Sequence, residues 1–390
     1  MDNNCDIIGA QIVLPRKVVA GTIEVRAGCI RRVGKNAAAR RPAGITIINA
    51  RGCYVVPGFI DTHLHGGAGY FPAEDGTLES MRAMVRAHWA HGTTSLYITS
   101  GTMRPEQERT FLENFVRARR EGEIGDSLPG VHMEGPFLSK AKAGAHAHHL
   151  LRPAAIKDLD NWQAWSQDGV RLITVAVEAD PEMAFIREAT RRGIRVLLGH
   201  SDCTYDTALS AFKMGANRIT HFFNAVSALH HRQPGIVGAG LSEDETVVEL
   251  ICDGHHVHPA AMRVVCKCKP PGKIVAVTDC MSEHDPAHQY TFNIGGAAVH
   301  YDPRDFYALD NGTMAGSSLT MDKAVANLQS MARLSLSAAV GCATLNPAMD
   351  LGIQMRKGSL ERGKDADIVI LDKNWTVRRT LVKGRTVYSV

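Results

Sequence analysis

Histidine and carboxylate side chains recur along this chain at the ends of short apolar runs. "PGFIDTHLH" ends in His63 and His65, "GVHMEGPF" sets His132 and Glu134 before a Gly-Pro turn, "RVLLGHS" reaches His200, and "RITHFFN" carries His221. "RLITVAVE" ends in Glu178, "VVELICDGHH" in Asp253, His255 and His256, and "KIVAVTD" in Asp279. Side chains alternate faces along a strand, so His63 shares a face with His65, and His132 with Glu134. Singly, each has an ordinary explanation: a lone histidine on an apolar strand is a satisfied core group, and a terminal Asp caps the next helix. Recurrence at so many strand ends is better explained by one metal site. Imidazole and carboxylate suit zinc, iron and similar divalent ions, and no thiolate is placed among them. A three-ligand site leaves a position for water, whose pKa a bound ion brings down towards ~7. A carboxylate not fully committed to the ion, for which Asp279 is the candidate, takes that proton and returns it to a leaving amine. The chemistry is metal-assisted hydrolysis of an amide or similar bond.

Such residues need a scaffold that gathers strand ends. Eight apolar runs read as strands: "CYVVPGFID", "TTSLYIT", "GVHME", "RLITVAVE", "RVLLGHS", "RITHFFN", "VVELICD" and "KIVAVTD". Stretches with apolar residues at helical spacing follow most of them, among them "LESMRAMVRAHWAH" and "TYDTALSAFKMG". Eight βα units over roughly 290 residues predict an α/β fold, a (β/α)8 TIM-like barrel, whose active site lies at the C-terminal strand ends. A doubly wound sheet would call for a G-x-G-x-x-G fingerprint after the first strand, and none is present. Both chain ends are strand-rich and neither alone makes a stable sheet. We therefore expect residues 1–56 and 350–390 to form one small β-sandwich domain, with 57–349 as the barrel. "YTFNIGGAAVHYDPRDFYALDNGTMAG" reads as a hairpin insertion after the eighth strand.

Composition narrows the partners. A net charge of +4 from 44 basic and 40 acidic residues, without basic runs beyond "RR" pairs, gives no support for nucleic-acid or membrane-surface binding. No stretch reaches the ~20 apolar residues of a membrane span, and "MDNNCDIIGA" lacks the regions of a signal peptide. Nine scattered cysteines fit reduced thiols in a cytoplasmic protein.

"PGFIDTHLHG" followed by a barrel and flanked by a β domain from both termini resembles the amidohydrolase superfamily. Within it, "HMEGPFLSKAKAGAH", "LGHSDCTYDTALSAFKMGANRITHFFNAVSALHHRQPGIVGAGL", "KIVAVTDCMS", "NGTMAGSSLTMDKAV" and "KGSLERGKDADIVILD" resemble the N-acetylglucosamine-6-phosphate deacetylases. The resemblance runs from residue 57 to 372. It implies Glu134, His200 and His221 as ligands of a main divalent metal, Zn2+ first and Fe2+ or another ion next. His63 and His65 match a pair that builds a second site in some members, so one or two ions per chain are expected. Asp279 matches the acid/base acting with metal-bound hydroxide, and His146, beside Ala145, the histidine near the scissile carbonyl. Asn224, Ala225, His256, Met314, Ala315 and Gly316 match substrate contacts. Arg232 matches an arginine that reaches the phosphate of the neighbouring subunit's substrate, which implies a homodimer acting on an amino-sugar phosphate.

The chain departs from the family in "TTSLYITSGT" and in the acidic, His-rich "CMSEHDPAHQ", which leaves the sugar open: N-acetylgalactosamine 6-phosphate or another N-acyl amino sugar is the alternative. A hydantoinase-like enzyme would need a lysine where "TVAVEAD" carries Glu178, an adenosine-deaminase-like one would lack Glu134, and a non-catalytic barrel would have lost ligands.

Overall fold

The computed structural model describes residues 3–34, 44–283, 285, 287, 288 and 290–390. Eight barrel strands follow in chain order: β1 (Phe59–Leu64), β2 (Thr93–Thr99), β3 (Gly130–Glu134), β4 (Val170–Val175), β5 (Arg195–Leu198), β6 (Arg218–Ile219), β7 (Val247–Ile251) and β8 (Ile274–Val277). Each pairs in parallel with the next. The ring closes at the β8–β1 seam, where Asp279 N–H donates to His63 O (2.8 Å) and His65 N–H to Cys280 O (2.9 Å). Runs such as "IVAV" and "VVELI" are buried on both faces, as parallel strands covered by helices require.

The helices follow their sequence signals. Leu78–Ala90 begins at Thr77, whose side chain accepts from Ser80 N–H, and buries Met81, Met84, Val85 and Trp89 on one face. Pro105–Arg119 has Pro at its first position and Arg117 and Arg119 in its last turn, where the helix dipole favours cations. Each large apolar side chain so buried stabilises by roughly 1.5–3 kcal/mol relative to exposure.

The termini combine as expected into one sheet of eight strands, which is mixed rather than purely antiparallel. Cys5–Leu14 pairs antiparallel with Lys17–Arg26 and parallel with Thr46–Asn49 and Tyr54–Pro57, and Tyr54–Pro57 pairs antiparallel with Ile368–Leu371. Period-two alternation shares its residues between two cores. Val55, Ile368 and Ile370 join the sheet's own apolar cluster, while Val56, Val369 and Leu371 join the barrel's.

After β8 the structure differs from the expected hairpin. Thr291–Ile294, Ala297–Asp302, Phe306–Leu309 and Met314–Ser317 form a four-stranded antiparallel sheet. The fourth strand holds only "MAGS", too short and glycine-bearing to alternate, so it was hidden in the turn-rich "DNGTMAG". His284, Pro286 and Gln289 of "CMSEHDPAHQ" lie outside the described residues. The fourth strand locks against the end of β8: Ser317 N–H donates to Asp279 O (2.8 Å), Met281 N–H to Ser317 O (2.9 Å), and Ser317 Oγ to Thr278 O (2.6 Å). Gly316 has φ +97°, and a Cβ there would meet Met281 Cγ at 2.8 Å and Asp279 O at 2.9 Å.

Gly316→Ala should therefore destabilise by about 2–4 kcal/mol, through backbone strain and overlap together. Gly312→Ala, also at positive φ (+82°) but with nothing within 4 Å of the new Cβ, supplies the strain alone and should cost less. Urea unfolding of the two variants measures the difference, and equal losses would remove the overlap from the account.

Candidate metal centre and active-site cavity

The C-terminal strand ends converge. Glu134 ends β3, His200 and His221 follow β5 and β6 by two residues, and Asp279 follows β8 by two. His200 (φ 47°), His221 (φ 26°) and Asp279 (φ 53°) all lie in the left-handed region, as does Ala225 (φ 50°). Each such residue costs on the order of 1–3 kcal/mol and persists only where the surroundings impose it.

Three donor atoms form a tight triangle. Glu134 Oε1 lies 3.1 Å from His221 Nε2 and 3.4 Å from His200 Nε2, and the two imidazole nitrogens are 3.0 Å apart. His200 Nδ1 faces Lys142 O at 2.8 Å and His221 Nδ1 faces Asn224 O at 3.1 Å. A carbonyl only accepts, so both Nδ1 atoms carry a proton, and the tautomer this selects turns an Nε2 lone pair inward. Burial pulls the His200 pKa down to about 4, which keeps that ring neutral. Two lone pairs facing at 3.0 Å need a cation between them. Bonds of 2.0–2.1 Å to a tetrahedral zinc set ligand atoms about 3.3 Å apart, close to these three edges.

The other oxygen of Glu134 serves a second group. Oε2 lies 3.4 Å from His63 Nε2 and 3.2 Å from His65 Nε2, and Asp279 Oδ1 lies 3.4 and 3.1 Å from the same atoms. His63 Nδ1 donates to Glu249 Oε2 (3.0 Å), while His63 Nε2 is buried without a hydrogen-bond partner. Burial resists charge here, yet the surrounding carboxylates raise His63 well above its ordinary value and His65 to about 9. Burial equally opposes charge on Glu134 and Asp279, and the imidazoles pull both below the carboxylate range. The cluster calls for added positive charge, which a divalent ion supplies.

These groups open into a cavity of about 350 Å³. His65, Glu134, Ala145, His146, His200, His221, Asn224, Ala225, His256, Asp279, Met314, Ala315 and Gly316 line it, so the structure gathers nearly all the sequence candidates. His63 sits beneath, fully buried. His146 Nδ1 lies 3.3 Å from Thr102 Oγ1, and its Nε2 is 3.7 Å from Glu134 Oε2. Arg232 lies apart from the cavity of its own chain, exposed, with His231 Nε2 at 2.6 Å. Glu178 turns away to accept from Ser201 Oγ (2.7 Å) and Asp202 N–H (2.6 Å). His132 is a core histidine after all, with Nδ1 on Thr62 O (3.1 Å) and Nε2 on Thr174 Oγ1 (2.8 Å).

Residues 54–387 match the amidohydrolase family. The chain belongs to that family. N-acetylglucosamine-6-phosphate deacetylase of Vibrio furnissii is 35% identical over 86% of this chain and 83% of its own length. N-acetylgalactosamine-6-phosphate deacetylase of Escherichia coli O157:H7 is 34% identical over 89% and 91%. A structure of N-acetyl-D-glucosamine-6-phosphate deacetylase from Mycobacterium smegmatis in complex with N-acetyl-D-glucosamine-6-phosphate superposes with a TM-score of 0.89, at 29% identity, over 99% of this chain and 100% of that one. The protein is thus a hydrolase acting on amide bonds.

Beneath the candidate metal centre of this amidohydrolase lies a charged layer that the sequence reading missed. Arg218, wholly buried, donates to Glu249 Oε1 (2.7 Å), to Asp350 Oδ2 (2.6 Å) and to Thr62 Oγ1. Glu249 Oε2 accepts from His63 Nδ1 and from His221 N–H (3.1 Å), so one carboxylate orients a residue of each candidate metal group. Burial alone would raise its pKa, but Arg218 and His63 bring it from 4.5 to about 2. The signal available was a charged residue in the middle of "VVELI" and another opening "RI". Asp253, noted at its strand end, has a role the sequence did not show: its Oδ2 accepts from His256 Nδ1 at 2.5 Å and so turns the other edge of that ring to the cavity.

Two outcomes follow. Glu134→Gln should weaken metal retention by more than the roughly 10–100-fold seen on losing an outer partner, measured by elemental analysis after dialysis; full metal content would contradict the triangle. Glu249→Gln leaves Arg218 under-compensated and should cost about 3–5 kcal/mol. Because the Glu249 pKa is depressed on folding, its contribution is complete above about pH 4.5 and disappears as pH falls towards 2. Urea titrations across that window should find the Gln variant with the shallower acid loss.

Proposed function

We propose that this amidohydrolase removes the acetyl group from N-acetyl-D-glucosamine 6-phosphate, giving D-glucosamine 6-phosphate and acetate. The observation that carries the reading is the placement of Glu134 between two imidazole groups at the floor of a sugar-sized cavity. The named activity of relatives matched along most of their length supplies the substrate. Zn2+ is the ion best suited to two imidazoles and a carboxylate, held by Glu134, His200 and His221, with His63 and His65 able to hold a second. A bound ion of this kind activates water and polarises the amide carbonyl.

The chain's own groups do the rest. Asp279 takes the proton of the attacking water at its carboxylate and delivers it to the amide nitrogen, which leaves as an amine once the C–N bond breaks. His146, steadied by Thr102, donates towards the carbonyl oxygen as negative charge develops there. Asn224, Ala225, Met314, Ala315 and Gly316 hold the sugar. His256, fixed by Asp253, and Arg232 of a second subunit meet the phosphate. The homodimer is supported by the exposure of Arg232 and of Leu229, three residues before it and 55% exposed. A cytoplasmic location is in keeping with nine free cysteines.

The galactosamine epimer is a second reading, favoured by the Escherichia coli relative at 34% identity over 91% of its length. Acetate release from the two phosphorylated epimers decides between them: kcat/KM higher for the glucosamine form supports the first reading, and the reverse order replaces it. Asp279→Asn should lower kcat by about 10²–10⁴-fold with metal content retained; loss of metal, with activity restored by adding it, would reassign Asp279 to ligation. Arg232→Ala should raise KM for the phosphorylated sugar about tenfold or more with little change in kcat, the loss of one charge-assisted contact. An unchanged KM would detach Arg232 from the phosphate.

A further inference from the structure

A cavity of about 620 Å³ lies at the opposite, N-terminal end of the barrel. Its walls are rich in cations: Arg119, Arg120, Arg171, Arg356, Lys357 and Lys383. Several are already committed, Lys383 to Asp126 (2.5 Å), Arg356 to Asp365 (2.9 Å) and Lys357 to Asp367. Of the lining carboxylates, Glu121 is taken by Arg82 (2.6 Å) and Asp126 by Lys383, leaving Asp168. Arg119, Arg120 and Arg171 have no carboxylate partner among the described residues. Arg119 rests on the Phe115 ring at 5.9 Å, and Arg120 reaches only the Gln167 amide oxygen at 2.9 Å.

Exposed arginines alone would be a solvated face. Tyr97 changes that reading. It is 2% exposed, part of the apolar floor of the barrel with Ile60, Leu172 and Leu197, and it lines this cavity and the smaller adjoining one. Among the described residues nothing hydrogen-bonds to its hydroxyl, which opens to the cavity while the ring is held in the core. Burial raises its pKa to about 12 even though Arg171, Arg218 and Arg119 pull the other way, so it stays an O–H donor facing cationic neighbours. The Tyr97 hydroxyl and the guanidinium groups of Arg119, Arg120 and Arg171 thus share one cavity, in which Asp168 is the one lining carboxylate that no cation holds among the described residues. Guanidinium forks match phosphoryl oxygens bidentately. The volume is that of a small organic ligand rather than a lone ion.

We propose that the N-terminal end of the barrel holds a second binding site, for a phosphate monoester of a sugar or nucleoside, contacted by Tyr97, Arg119, Arg120 and Arg171. The site is independent of the catalytic cavity at the other end of the strands. Glucose 6-phosphate and adenosine 5′-monophosphate are the probes, titrated calorimetrically into the metal-loaded enzyme. At least one should bind, with affinity falling as salt is added. Arg171→Ala should weaken that binding about tenfold or more and Tyr97→Phe about three- to tenfold, the loss expected for one charge-assisted or polar contact. Arg232→Ala should leave it within twofold, and Arg171→Ala should leave deacetylation kcat/KM unchanged. Arg119→Ala, a surface substitution, provides the same test should Arg171→Ala fold poorly. The proposal is overturned if neither probe binds at millimolar concentration. It is also overturned if binding is indifferent to Arg171 and Arg119 or is abolished by Arg232→Ala, which would assign it to the catalytic cavity. Which probe binds separates a sugar-phosphate site from a nucleotide site.

Discussion

Two imidazole nitrogens, His200 Nε2 and His221 Nε2, face one another at 3.0 Å, and the barrel holds them there. Left to themselves the rings would rotate away or take up a proton. Backbone carbonyls of Lys142 and Asn224 prevent rotation, and burial disfavours protonation of His200. Those carbonyls reach the rings because the chain turns through left-handed conformations at His200 and His221. An unfavourable arrangement thus rests on backbone strain, and the strain rests on the apolar barrel around it. An ion that relieves the repulsion binds the folded chain alone, so occupancy and stability rise together.

The charge balance below the cavity points the same way. Glu134, Asp279 and Glu249 are buried carboxylates, the Asp350 side chain is 4% exposed, and Arg218 is the buried guanidinium among them, with the half-buried Arg195 at 3.4 Å from Asp350. Asp61, pushed up to about 7 by burial, is only partly ionised near neutrality. Protons on His63 and His65 would offset the excess, but each would occupy an Nε2 atom that points at Glu134 and Asp279. A divalent cation offsets the charge and uses those lone pairs. Glu249 couples the two layers, neutralising Arg218 with one oxygen while the other fixes the His63 tautomer and the His221 backbone.

What could be read from the sequence depended on where a residue sits along its strand. Strand ends were legible because an apolar run that stops at His or Glu is unusual, and period two separates cavity-facing from helix-facing positions. His132 obeyed the same spacing yet lies one layer deeper, where Thr62 and Thr174 satisfy it; alternation gives the face and not the depth. Arg218 and Glu249 are distant in sequence and meet only because β6 and β7 are neighbours, so neither announces its partner. The insertion after β8 was legible as β structure but not in strand number, since its fourth strand is fixed by pairing with the end of β8 rather than by pattern.

The two carboxylates at the cavity floor are unequal, and the inequality bears on which of them moves a proton. Both oxygens of Glu134 face imidazole nitrogens, Oε1 those of His200 and His221, Oε2 those of His63 and His65. A proton added there would displace a contact whichever oxygen received it. Asp279 makes its shortest contacts with His63 and His65 through Oδ1, and among the described residues no hydrogen bond reaches Oδ2, while the side chain lines the cavity. Its backbone is tied on both sides, to His63 through N–H and to Ser317 through C=O, so the free oxygen is held by the barrel seam rather than by a mobile loop. In the proposed chemistry a base in this setting would accept a proton without dismantling the cluster. The strand Met314–Ser317 therefore contributes twice to the proposed chemistry, as a wall of the substrate cavity and as the clamp on the carboxylate that works in it.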